Sequence, residues 1–203
     1  MIVVINYGMG NLRSVVKTLE KAGADVLITS DSNEIEKARG IVLPGVGEFS
    51  KTMENLKKLN ILETLSNSIL KGIPYLGICL GLQLLFTESE EGNGSQGLNI
   101  IKGKVKRFVN NMKIPHMGWN QIKIRNKKCK ILEEIPDNSY FYFAHSYYAI
   151  PEDKHVIVAT TDYGIEFVSI IQKGNILGTQ FHPEKSSELG LKIIKNFCQL
   201  VYR

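Results

Sequence analysis

The sequence predicts an α/β fold: a three-layer sandwich with a central, mostly parallel sheet flanked by helices, and an antiparallel β extension in the C-terminal half. Two observations predict it. Before Gly92, short apolar runs alternate with amphipathic helical patterns, and those runs are apolar throughout, as strands covered on both faces must be. From Ile100 to Phe181 the segments are instead strand-like and separated by turn residues, which reads as antiparallel pairing.

Taken in order, Ile2–Asn6 is the first buried strand. Asn11 can cap a helix whose Leu12, Val15, Val16, Leu19 and Ala22 follow 3.6 spacing, and Gly23 stops it. Val26–Thr29 is a second strand, and Asp31 with Glu34 resembles a capping box opening a short helix. Ile41–Leu43 is a third strand, running into Pro44-Gly45-Val46-Gly47. Helical patterns extend to Leu70, Gly72 punctuates, and Pro74–Ile78 is a fourth strand leading into a helix over Leu80–Phe86. Later strands are expected at Lys104–Val109, Gln121–Ile124, Tyr140–Ala144, His155–Thr160, Phe167–Ile171 and Ile176–Phe181, with turns such as Asn110-Asn111 between them. Ser186 or Ser187 caps a last helix that turns Leu191, Ile194, Phe197, Cys198 and Val201 inward.

The 203 residues are 43% hydrophobic and 22% charged, which excludes a disordered or fibrous chain. No apolar run approaches the roughly 18 residues that span a bilayer. Met1–Gly8 reads as a core strand rather than a signal peptide. Without a linker or repeat, residues 1–203 read as one domain. Three dispersed cysteines and no CxxC point to a reducing cytoplasm, and the four histidines lack metal-ligand spacing. The net charge of +5 is mild, but ten basic residues and no acidic one lie between Gly92 and Leu132. Lys102, Lys104 and Lys106 share one strand face, either simply solvated or turned toward an acidic partner or anionic substrate. Nucleic acid fits worst, because no aromatic residues interleave with the basic ones.

Gly77-Ile78-Cys79-Leu80-Gly81 places a cysteine where a buried strand turns into a helix, with glycines relieving the crowding. A helix N-terminus there favours the thiolate, whereas the plain alternative is a small buried apolar residue. In Phe181-His182-Pro183-Glu184, an extended backbone would put His182 and Glu184 on one side. Glu184 could then orient His182 as the base for Cys79, against the alternative of a surface pair. Both motifs should lie at the carboxyl ends of parallel strands, where ligands bind. Oxyanion donors would be the Leu80 N–H and the Gly45-Val46-Gly47 loop, unless that loop is an ordinary turn.

With these motifs placed, the chain resembles the class I (triad) glutamine amidotransferases, and among them the glutaminase subunits of imidazole glycerol phosphate synthase. The narrower resemblance rests on Asn6-Tyr7-Gly8-Met9-Gly10-Asn11, Pro44–Phe49, Pro115-His116-Met117-Gly118-Trp119-Asn120 and Phe181–Ser187. It implies Cys79 as nucleophile, His182 as base and acid, and Glu184 as orienter, hydrolysing L-glutamine without metal or cofactor. It also implies glutamine held by Gln83, Glu91, Gly47 and the His145-Ser146-Tyr147 segment, and an oxyanion strand at Gly45-Val46 whose peptide must reorient. A (β/α)₈ barrel cyclase partner is implied, docking on Asn11, Met117, Trp119, Tyr142, Pro183 and Lys185 and receiving ammonia in histidine biosynthesis. The flexible Gly45 and Gly47 predict low glutaminase activity alone and strong stimulation by the substrate-loaded partner. The lone tryptophan suits an interface anchor, or else a partly buried core position. Two other functions fit less well: an ammonia supplier for surface-sugar amination, and a non-catalytic module on the same fold, which would not need all three of Cys79, His182 and Glu184.

Overall fold

The computed structural model describes residues 1–9, 11–92, 94–109 and 113–202, so Gly10 and the turn expected at Asn110-Asn111 lie outside the described residues. The first half alternates β1 (Ile2–Ile5), α1 (Leu12–Lys21), β2 (Val26–Thr29), α2 (Ser32–Glu36), β3 (Gly40–Gly45), α3 (Phe49–Lys58), α4 (Leu62–Leu70), β4 (Tyr75–Cys79) and α5 (Leu80–Gln83). The second half runs through β5 (Phe86–Ser89), β6 (Ser95–Gln96), β7 (Ile101–Arg107), β8 (His116–Gln121), β9 (Lys123–Ile124), β10 (Tyr140–His145) and β11 (Tyr147–Pro151). It ends with β12 (Ile157–Asp162), β13 (Glu166–Lys173), β14 (Ile176–Thr179) and α6 (Ser187–Tyr202).

The main sheet has the order β2-β1-β3-β4-β14-β13-β12-β9. Its first five strands are parallel and its last three antiparallel, so the two readings of the sequence meet in one sheet. Two small sheets complete the extension: a β8–β10 ribbon, and β11-β7-β5-β6. Successive residues of β1 point to opposite faces. Ile2 and Val4 pack with α1 and α6 residues such as Leu19, Ile194 and Phe197, whereas Val3 and Ile5 pack with Ile35, Leu56 and Leu65 of α2, α3 and α4. Burying each such side chain contributes about 1.5–3 kcal/mol, which is why runs apolar at every position choose the centre of a sandwich.

Several expected boundaries move. The helix after Cys79 is one turn, not Leu80–Phe86. Gly81 O, which Leu85 N–H would use in a continuing helix, accepts from the Tyr75 hydroxyl, and Leu85 N–H turns to Leu82 O. The returning chain then donates from Leu98 N–H to Leu84 O and from Ile100 and Ile101 N–H to Leu85 O. Phe86 instead begins β5, beside Ile101 of β7. At α2 only the aspartate half of the capping box forms as drawn, with Asn33 N–H donating to Asp31 Oδ1. The strand expected over Gln121–Ile124 belongs to two sheets, its first residue in β8 and its last two in β9. Lys102, Lys104 and Lys106 do share the outer face of β7, solvated and partly compensated, with Lys104 paired to Glu88 at 2.7 Å.

Candidate active site

Cys79 closes β4 and caps α5 with φ 52° and ψ −105°, left-handed backbone that a non-glycine residue adopts only under external constraint. The constraint is close packing. A Cβ on Gly81 would lie 1.9 Å from Leu43 O, and one on Gly77 would lie 2.4 Å from Gly81 O, so neither position admits a side chain without backbone movement. The Tyr75 hydroxyl fastens the turn by donating to Gly81 O at 2.8 Å. The Cys79 thiol points to Ala144 O at 3.8 Å and accepts from Gln180 Nε2 at 3.5 Å.

His182 follows β14, with Phe181 in the apolar layer beneath it. Its neighbourhood is not extended as expected. Pro183–Lys185 form a 3₁₀ turn, with Pro183 at a first-turn position where its fixed φ and missing N–H cost little. The turn still unites the pair: His182 Nδ1 lies 2.9 Å from Glu184 Oε1, and both side chains are almost wholly buried. The β10 backbone clamps the histidine, since His182 N–H donates to Tyr142 O, Tyr142 N–H donates to Ser186 Oγ, and Ser186 Oγ–H donates to His182 O. Burial acts to lower the His182 pKa, but the charge and hydrogen bond of the Cys79 sulfur, joined by Glu184, overcome it and push it up to about 10. The sulfur and the imidazole line the same pocket.

A pocket of about 130 Å³ opens on Cys79 and His182. Its lining includes Gly45, Val46, Gly47 and Leu80, with Gln83, Glu91, His145, Ser146 and Tyr147. Glu91 accepts from Phe49 N–H at 2.9 Å, and its pKa is raised chiefly by burial. Glu184 stands behind His182 rather than in the lining, whereas Lys185, expected on a partner face, reaches the pocket edge. Met117 and Trp119 of β8 are 64% and 51% exposed, so the tryptophan is no core residue. Trp119 meets Tyr142 edge-on, and the Lys185 ammonium lies 5.8 Å from the Tyr142 ring. Pro183 is buried, while Asn11 is the exposed N-cap of α1, which packs beside the Pro183–Lys185 turn.

The sequence reading missed Gln180, which touches the thiol, and the buried His116 beside His145. One signal was available for Gln180: two polar residues, Thr179-Gln180, close an otherwise apolar run into a buried strand.

The model of the family described as glutamine amidotransferase class-I matches residues 3–200 of this chain. The chain belongs to the class-I glutamine amidotransferases. It is 52% identical over 201 residues to the "Imidazole glycerol phosphate synthase subunit HisH" of Methanocaldococcus jannaschii, covering 99% of this chain and 100% of that one. It is 48% identical over 200 residues to the HisH subunit of Moorella thermoacetica, covering 98% and 95% of the two chains. The fold is shared more widely among solved structures. A chain of PurLQS from Thermotoga maritima superposes with a TM-score of 0.73 at 18% identity, covering 99% of this chain and 96% of that one. The glutaminase domain of Trypanosoma brucei CTPS, solved with bound acivicin, gives 0.66 at 16% identity, covering 98% and 93%.

Proposed function

We propose that this chain is the glutaminase subunit of an imidazole glycerol phosphate synthase, working in the cytoplasm and handing ammonia to a (β/α)₈ barrel cyclase subunit. The observation that carries the reading is a cysteine on a left-handed strand–helix turn, sharing one pocket with an imidazole whose Nδ1 is held by a buried carboxylate. The His182 imidazole, with its raised pKa, already holds the proton shared with Cys79 as the sulfur attacks the side-chain amide carbon of L-glutamine. The new oxyanion is met by the Leu80 N–H and the Gly45-Val46 loop. His182 returns its proton to the leaving nitrogen, the C–N bond breaks and ammonia departs, leaving a glutamyl thioester. Water attacks the thioester, giving its proton to His182, and glutamate leaves as the sulfur is released. Gln83, Glu91, Gly47 and the His145–Tyr147 segment hold the substrate, and Glu184 keeps the imidazole oriented throughout.

The partner face on this reading is the group of exposed Met117, Trp119, Lys185 and Asn11 with half-buried Tyr142, around the pocket edge and the start of α1, with Pro183 setting the turn beneath it. The test is glutamate release by the chain co-purified with a barrel cyclase, with and without the cyclase's phosphorylated substrate. Activity should be low for the chain alone and strongly stimulated in the loaded complex. Cys79→Ala should abolish glutamate release, and covalent labelling by acivicin, while leaving complex formation intact. Ammonia still released by Cys79→Ala would remove the assignment.

A further inference from the structure

Two buried histidines whose imidazoles have no role in the hydrolytic steps above, His116 of β8 and His145 of β10, face each other with Nδ1 and Nε2 3.0 Å apart. Their hydrogens are fixed by logic that starts outside them. Gln121 N–H donates to Asn120 Oδ1 at 2.8 Å, so the Asn120 amide must turn its Nδ2 hydrogens the other way. One goes to Asp162 O at 2.9 Å and the other to His116 Nε2 at 3.2 Å. His116 Nε2 is therefore an acceptor, its proton sits on Nδ1, and that proton is donated to His145 Nε2. His145 in turn carries its proton on Nδ1 and donates it to Tyr147 O at 2.7 Å.

The line continues to the sulfur. Gln83 Nε2 donates to the same Tyr147 carbonyl at 2.8 Å and to Gln180 Oε1 at 3.1 Å, and Gln180 Nε2 donates to Cys79 Sγ. Each amide orientation follows from its neighbour. Both Gln83 Nε2 hydrogens are engaged, which leaves Gln83 only its Oε1 acceptor to offer a ligand. We infer that His116 and His145 are positioning residues: their one-directional hydrogen-bond chain holds the Tyr147 carbonyl, and through it the Gln83 and Gln180 amides, in the orientation that bound substrate and thiol meet.

A proton added to either ring would set two donors against each other, His116 Nε2–H against the Asn120 amide or His145 Nε2–H against His116 Nδ1–H. The surroundings keep both rings neutral. Phe108, Phe143, Phe167 and Tyr163 pack around them, and none of the groups acting on either imidazole is a carboxylate; His182 acts on His145 only to disfavour its charge.

The inference rests on the glutaminase reading, and its test separates the two. His145→Leu removes the donor to Tyr147 O, while His145→Asn keeps one where Nδ1 stood. Both are assayed in the full chain assembled with the cyclase, after thermal melts show that they fold. His145→Leu should raise the KM for glutamine at least about tenfold with kcat changed less than about threefold, and His145→Asn should return KM to within about threefold of wild type. Alkylation of Cys79 by iodoacetamide should change by less than about threefold in either variant, because the Gln180 contact to the sulfur is long and His182 and Glu184 are untouched. An unchanged KM in His145→Leu, no rescue by asparagine, or parallel loss of KM and alkylation would overturn the positioning role. A wild type that is alkylated but hydrolyses no glutamine would instead overturn the glutaminase reading, and the inference with it.

Discussion

A cysteine at φ 52° stores strain that the surrounding backbone must impose, and here two absent side chains impose it. Gly81 lets α5 lie against Leu43 O, and Gly77 lets β4 pass under Gly81 O. Because the obstructing atoms at both positions are backbone, no rotamer change can make room for a methyl group. Gly81→Ala is therefore expected to lower stability by about 1–3 kcal/mol, the usual cost of overpacking, and to displace the thiol from His182. Urea unfolding should show a lower midpoint with an unchanged slope, together with slower iodoacetamide labelling of Cys79. Wild-type values for both would mean that the turn does not depend on the close approach.

Among the elements, the β8–β10 ribbon does two jobs by strand alternation. His116 and Phe143 face the core, while Met117 and Trp119 face solvent beside Tyr142 and Lys185. Trp119→Ala should weaken cyclase binding by about 2 kcal/mol, roughly thirtyfold, as loss of a central aromatic anchor does, while Tm moves by less than about 2 °C. Binding isotherms and melts of the same variant check both halves, and a large fall in Tm would make Trp119 a packing residue. Legibility follows the same division. Strands β1, β3 and β4 were legible because burial on both faces writes an apolar run, and Cys79, His182 and Glu184 because two local motifs carry them. The helix expected to Phe86 was not, because the Tyr75 hydroxyl takes Gly81 O and Phe86 pairs with Ile101 of a later strand. Nor were β8, a polar, glycine-containing segment held by its pairing with β10, and the bond from Gln180 to a thiol 101 positions away.

For the molecule as a whole, the buried histidines shape its pH response. Burial depresses His116 to about 4 and His145 to about 3, against roughly 6.5 in an unfolded chain. Between those values the unfolded state binds protons that the native state refuses, so stability falls as pH drops below about 6.5. His182 has the opposite sign. Its raised value means that its contribution is complete below about 6.5 and fades as pH climbs toward about 10. Glu88, Glu134, Asp137 and Asp153 are held below their ordinary range, so their losses come at lower pH, whereas Glu91, raised chiefly by burial, acts against the two histidines as pH falls. Tm should therefore pass through a maximum near neutrality and fall by at least about 3 °C between pH 6.5 and pH 5. A His116→Gln/His145→Asn double variant lacks the two groups that refuse protons in that window. Its melting curve should be lower at neutral pH and nearly flat from 6.5 to 5, whereas an acid slope as steep as wild type would mean that other groups control the acid limb.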